Sequence, residues 1–174
     1  MIESDDLVSR VLARASAECD DLRPASEDAV AEAETRLGFP LHPLLRALYE
    51  RVGDGGFGPD YGVLGLRSAV EEYGSRRDAD PSDPGWFWPE GVLPILTWGC
   101  AMYACVDCRS DDGAVLLFEP NPISDGNWAD AWFVDAPGLA EWLERWLAGR
   151  GWYEEDNVDE EIVMSPWTEV AGRA

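Results

Sequence analysis

Residues Leu37–Leu66 read LGFPLHPLLRALYERVGDGGFGPDYGVLGL, and this passage decides the fold. Gly38 stands where a helix would take a left-handed C-terminal cap. Pro43 then suits the first turn of a second helix, which carries Leu44, Leu45, Leu48, Tyr49 and Val52 at core-facing spacing. That helix runs directly into Gly53-Asp54-Gly55-Gly56-Phe57-Gly58, and the apolar run Val63–Leu66 behind it predicts a strand. So sharp an exit demands positive φ at Gly55 or Gly56, where a side chain would be strained.

Outward from this turn, periodicity supplies the rest. Leu7, Val8, Val11, Leu12 and Ala15 predict one face of an N-terminal helix. Ser26, followed by Glu27 and Asp28, predicts the capped and acid-stabilised start of the next. A short helix is expected near Ser68–Tyr73, and Arg76–Gly85, rich in Asp, Ser and Pro, reads as a surface loop. Three apolar runs follow, Ile95–Trp98, Met102–Asp107 and Ala114–Phe118, with Asp111-Asp112-Gly113 as a hairpin signal between the last two. Trp132–Val134 predicts a shorter strand. Leu139, Trp142, Leu143, Trp146 and Leu147 then form the apolar stripe of a closing helix. Helices, a largely antiparallel meander and a final helix make an α+β domain. A single domain over 1–174 is expected, with its core at about 26–149 and an acidic tail over 150–174.

The chain of 174 residues has a formal net charge of −22, from 35 acidic residues against 13 basic ones, every one of them Arg. Such a surface repels nucleic acid and anionic membranes and attracts basic proteins. Acidity alone would also serve solubility. Scarce Lys, Asn and Ile beside abundant Ala, Gly and Arg fit a GC-rich bacterial genome. The first residues, MIESDDLVSRVL, carry acids where a signal peptide needs positive charge, and no apolar run reaches the length of a membrane span. A cytoplasmic protein with four reduced Cys is therefore expected.

The helix–GDGGFG–strand passage, with the later Trp98-Gly99 and Val106-Asp107-Cys108, resembles the SUKH superfamily over roughly Ala29 to Leu147. That resemblance implies an α+β fold in which Gly55, Gly56, Phe57, Gly58, Trp98, Gly99 and Asp107 belong to the recurring motif, with no catalytic role attached. It also implies a non-enzymatic protein-binding function. Bacterial members are mostly immunity proteins against polymorphic toxins, often nucleases, and fungal members regulate cell-wall synthesis.

Competing chemistries can be weighed residue by residue. Gly53, Gly55 and Gly58 spell the dinucleotide fingerprint, but that motif needs a strand before it and a helix after it, and here the expected order is reversed, a helix before and the Val63–Leu66 strand after. A helix precedes this one, so a tight reversal is the better reading. Without Lys there is no P-loop lysine and no Schiff base. Cys100, Cys105 and Cys108 match part of an iron–sulfur spacing, with Cys19 as the only other thiol. On one continuous strand Cys105 would face away from Cys100, and Cys100 and Cys108 would stand about 27 Å apart. Buried structural thiols are the expectation. His42, the single His, has no nucleophile context and reads as a capping or half-buried structural residue. Asp107 ends an apolar strand; it either pins the following turn or pairs with Asp111 or Glu119 as acid and base, and the turn is favoured. No cofactor, no metal and no catalytic residue is expected.

Aromatic residues supply the remaining candidates. Trp142 and Trp146, four apart on a helix, read as core. Tyr61, Trp86, Trp88 and Trp128 fall in loops and are the expected protein-binding residues, with burial under a loop the alternative for the tryptophans. The resulting expectation is an immunity protein that occludes a basic toxin domain, without nucleic acid or membrane as a partner. An intracellular regulatory scaffold, linked to cell-wall synthesis or sugar recognition, is the second reading.

Overall fold

A computed structural model describes residues 2–78, 83, 85–150 and 165–173. The element order is α1 (Ile2–Glu18), α2 (Glu27–Leu37), α3 (Pro43–Arg51), α4 (Leu66–Arg77), β1 (Val92–Gly99), β2 (Met102–Asp107), β3 (Val115–Phe118), β4 (Trp132–Ala136), α5 (Leu139–Leu147) and β5 (Ser165–Pro166). The five strands form one antiparallel sheet in sequential order, β1-β2-β3-β4-β5. This is the α+β architecture expected from the sequence.

Helix starts and stops follow the local signals. The Ser26 side chain accepts from Ala29 N at the head of α2, and Gly38 ends that helix at φ 80°. Leu7, Val8, Val11 and Ala15 are buried along α1, but Leu12 is 38% exposed. It sits at the edge of the stripe rather than in it. Arg10 of α1 pairs with Glu144 of α5, and the Arg14 guanidinium lies 4.4 Å from the Trp146 ring, so the first and last helices are clamped together.

Two departures from the expected layout lie after the glycine turn. Val63–Leu66 is not a strand. Gly62 precedes it and Gly65 interrupts it, and Leu66 is already the first residue of α4, which runs on to Arg77 instead of ending at Tyr73. The N-terminus of α4 has no cap from its own preceding residue, Gly65; Asp54 of the glycine turn accepts from Leu66 N at 2.6 Å instead. A cap donated from twelve residues upstream cannot be read from a local pattern. Part of the expected Arg76–Gly85 loop is helix, and residues 79–82 and 84 lie outside the described residues.

The second departure is a tight turn between β1 and β2. Cys100 and Ala101 have φ of 50° and 64°, positive at both central residues, as in the type I′ turns that suit a twisted hairpin. Cys100 is therefore not in a strand with Cys105 and Cys108, which corrects the single-strand spacing used above. Neither Cys nor Ala is at ease at positive φ. Replacing Cys100-Ala101 by Asn-Gly is expected to stabilise the protein by about 1–2 kcal/mol, read as a higher urea midpoint at unchanged slope. Pro94, which cannot donate to a ladder, is accommodated because β1 is an edge strand with a register shift at that point.

Register fixes which side chains share a face. Tyr103 pairs with Phe118 and Phe118 with Trp132, so three aromatic rings cross β2, β3 and β4 in one row. Cys105, Leu116 and Val134 form the next row on that face. No helix supplies the Trp88 and Trp167 rings that cover it. Trp88 lies 5.0 Å from Phe118 and 4.8 Å from Trp132, and Trp167 lies 6.1 Å from Trp132. The described part of the expected acidic tail, residues 165–173, thus runs back onto the sheet; residues 151–164 lie outside the described set.

Candidate protein-binding surface

The residues nominated for binding fall into three different environments. Trp88 is 1% exposed, its indole N–H donates to Val92 O at 2.8 Å, and it sits at the centre of the aromatic row. It is core, not an anchor. The sequence placed it in a loop correctly, but loop position carries no information about the sheet face that the loop covers. Tyr61 is the opposite case. It is 73% exposed at the tip of Gly58–Gly62, a turn held by Gly62 N to Pro59 O at 2.9 Å and Val63 N to Phe57 O at 2.6 Å.

Trp86 and Trp128 are half-buried and come together, ring centroids 4.3 Å apart at 68°. The Trp86 indole donates to Arg76 O at 2.8 Å and the Trp128 indole to Asp83 Oδ2 at 3.0 Å. Asp83 Oδ1 also accepts from Gly85 N, closing a tight loop around the pair. Trp128 lies parallel to Phe118, 6.2 Å away at 6°, which links this pair to the aromatic row. A cleft of about 230 Å³ opens beside it, lined by Gly85, Phe87, Gly126, Asn127, Trp128, Ala129 and Ala171.

The motif residues hold the frame. Gly55 and Gly56 have φ of 83° and 79°, as the turn demands. Phe57 and Trp98 are buried. Asp107 is 1% exposed, accepts from Arg109 N at 3.0 Å and is gripped by Arg173, whose two terminal nitrogens lie 3.2 and 2.6 Å from its two oxygens. The turn reading of Asp107 therefore holds, with an Arg partner from the far end of the chain that local sequence could not reveal.

The remaining chemical candidates find structural roles. His42 is buried; its Nε2–H donates to Asp111 O at 3.1 Å, and its ring packs against Gly113, which ties α3 to the β2–β3 turn. Burial drives the Cys105 thiol well above its ordinary value and Cys108 up to about 12. Cys100 is exposed and Cys19 half-buried, its Sγ 3.2 Å from Gly56 O. A thiol reagent is expected to label Cys100 quickly, the half-buried Cys19 and Cys108 more slowly, and to reach Cys105 only after denaturant is added. Four rapid equivalents in native buffer would contradict this arrangement. Among the described residues no group of three or more His, Cys, Asp or Glu is placed to hold a metal ion.

Electrostatically the surface is one-sided. Among the described residues, nine arginines make ion pairs with the protein's own carboxylates, among them Arg46 with Glu34 and Glu50, Arg67 with Glu71 and Arg76 with Glu72. Apart from the buried Arg173–Asp107 pair, such surface pairs add little stability. Their consequence is that most of the basic residues are spent internally, while among the described residues most of the acidic ones are exposed.

The model of the SMI1 / KNR4 family (SUKH-1) matches residues 24–145. The chain belongs to that family. The matched stretch starts just before α2 and ends within α5, so it takes in the glycine turn, β1–β4 and the Trp86–Trp128 pair. Helix α1 and the segment 165–173 lie outside it, yet both contribute buried side chains to this SUKH-1 fold: Leu7, Val8 and Val11 from one, Trp167 and Val170 from the other. Curated proteins gave no match. No helix among the described residues is long and apolar enough to cross a membrane.

Proposed function

We propose that this SUKH-1 domain is a non-enzymatic immunity protein that acts in the cytoplasm by binding and occluding a basic toxin domain. One observation carries the reading: the chain has a net charge of −22, and most of its arginines are paired internally rather than offered to whatever approaches. A nuclease toxin suits that surface, because its own substrate channel must be basic and carboxylates can occupy it as phosphates would. Family membership adds support, since bacterial relatives are mostly of this kind.

Association should be steered by the acidic field, reaching about 10⁸ M⁻¹s⁻¹ at low salt and falling steeply as salt rises. Residence time should depend on desolvated anchors, for which Tyr61 and Trp128 are the accessible candidates. Stopped-flow association with the partner recovered by pull-down and mass spectrometry from the native host tests this. Substituting rim carboxylates is expected to slow association, and Tyr61→Ala to hasten release. Association indifferent to salt, or a host pull-down and gene neighbourhood without a toxin, would transfer the assignment to an intracellular regulatory scaffold.

A further inference from the structure

Given that reading, the form of the partner's contact can be deduced. We propose that the cleft beside Trp128 and Phe87 receives an arginine side chain of the basic partner, its guanidinium laid against the Trp128 ring and its N–H groups shared among the carboxylates at the rim. The inference rests on the function proposed above.

Size comes first. At about 230 Å³ the cleft is smaller than the roughly 300–1,000 Å³ typical of cofactor and drug-sized sites, and it suits one side chain. Hydrogen-bonding capacity then narrows the chemistry. Both indole N–H groups are already engaged, by Asp83 Oδ2 and by Arg76 O, so the aromatic pair has no donor left to give. What it retains is ring surface, with carboxylate oxygens beside it. The side-chain donor still open in the lining is the Asn127 amide, too little for the several hydroxyls of a sugar, whereas a guanidinium brings five donors and no acceptor to the carboxylates.

Charge agrees. Asp83 touches Trp128 directly, and the exposed Asp125 and Asp130 are the immediate chain neighbours of the lining residues Gly126 and Ala129. Among the described residues none of these three carboxylates has an Arg partner. The groove between α2 and α4 is larger, about 480 Å³, but Glu32, Arg36, Arg67 and Glu71 line it with both signs and give it no preference.

The protein already uses the same contact on itself. The Arg76 guanidinium lies 4.8 Å from the Tyr103 ring and 5.9 Å from those of Trp86 and Trp88, and Arg14 lies 4.4 Å from Trp146. The cleft is also preorganised. Gly85 approaches Gly126 so closely that a Cβ there would stand 2.3 Å from Gly126 O, and Asn127 Oδ1 accepts from Ala129 N. Little ordering remains to oppose binding. Ala171, one wall of the cleft, comes from the segment beyond the family match.

The test uses the ¹⁵N-labelled full chain and two end-capped tripeptides, Gly-Arg-Gly and Gly-Lys-Gly, titrated at constant ionic strength. Saturable shifts are expected at the Trp128 indole N–H and the Gly126 and Ala129 amides, with the arginine peptide at least about threefold tighter than the lysine peptide because a planar guanidinium stacks where an ammonium does not. Trp128→Leu should weaken binding. Because that variant removes packing against Phe118, the doubly exposed Asp125→Asn/Asp130→Asn provides an independent arm, with unchanged melting and weaker arginine binding. Shifts scattered over the acidic surface, shifts centred on Tyr61, or equal affinity for the two peptides would overturn the cleft. With a basic partner identified, unchanged affinity of Trp128→Leu or of the double Asn variant would overturn the cleft and leave the function standing. Absence of any basic partner would overturn the function, while the peptide comparison still decides the cleft.

Discussion

Gly55→Ala is expected to destabilise the fold by about 3–5 kcal/mol, the larger of two very different effects within one glycine turn. At φ 83° an alanine is strained, and its Cβ would stand 2.5 Å from Gly65 N and 2.8 Å from Leu64 C. Neither contact can relax by rotating a side chain, because both atoms are backbone. Moving them would pull Leu66 N away from the Asp54 carboxylate that caps α4. Backbone strain of about 1–3 kcal/mol and overpacking of similar size therefore act together. Gly56 has nearly the same φ, 79°, but nothing lies within 4 Å of its would-be Cβ. Gly56→Val should show the strain alone, about 1–3 kcal/mol. Urea denaturation of both variants measures the difference, and equal midpoints would show that crowding at Gly65 contributes nothing.

Arg173→Ala is expected to cost about 3 kcal/mol or more, although the residue is next to last in the chain. Asp107 is 1% exposed, and its remaining described partner would be the Arg109 amide. Removing one member of a buried ion pair leaves an uncompensated charge, which costs about 3–5 kcal/mol. The consequence extends beyond the pair. Arg173 O accepts from Glu90 N at 3.0 Å, and the Arg173 guanidinium lies 5.7 Å from the Trp167 ring, so the variant also loosens the segment that covers Trp132. Asp107→Asn combined with Arg173→Leu should recover much of the loss, since no charge is then buried alone. A melting curve of Arg173→Ala that overlays the parent would show that segment 165–173 contributes nothing to the fold.

Both effects involve contacts that mark the boundary of what local pattern can report. The helix α3, its abrupt end and the positive φ of Gly55 and Gly56 were legible in Leu37–Leu66, because Pro43, the 3.6-residue apolar spacing and the glycine run are local constraints. So were the β2–β3 hairpin and the Trp142–Trp146 stripe of α5. The charge of −22, and the exclusion of lysine chemistry with it, needed only counting.

Val63–Leu66 shows the limit. Its apolar Val63, Leu64 and Leu66 fit a strand as well as the start of a helix, and the choice was made by Asp54, which reaches over from the preceding turn to cap Leu66. Burial of loop aromatics was equally hidden. Trp86, Trp88 and Trp128 look alike in sequence, yet Trp88 fills the space above Phe118 and Trp132 while Trp86 and Trp128 stop at its rim. The sequence by itself determined the element types, the turn chemistry, the family resemblance and the sign of the field. Tertiary structure alone decided which tryptophans remain accessible, which Arg neutralises Asp107 and that residues 165–173 close the sheet face. The reason is physical: each of these depends on groups separated by tens of residues, whose meeting is fixed by packing of the whole sheet and by no local preference of the chain.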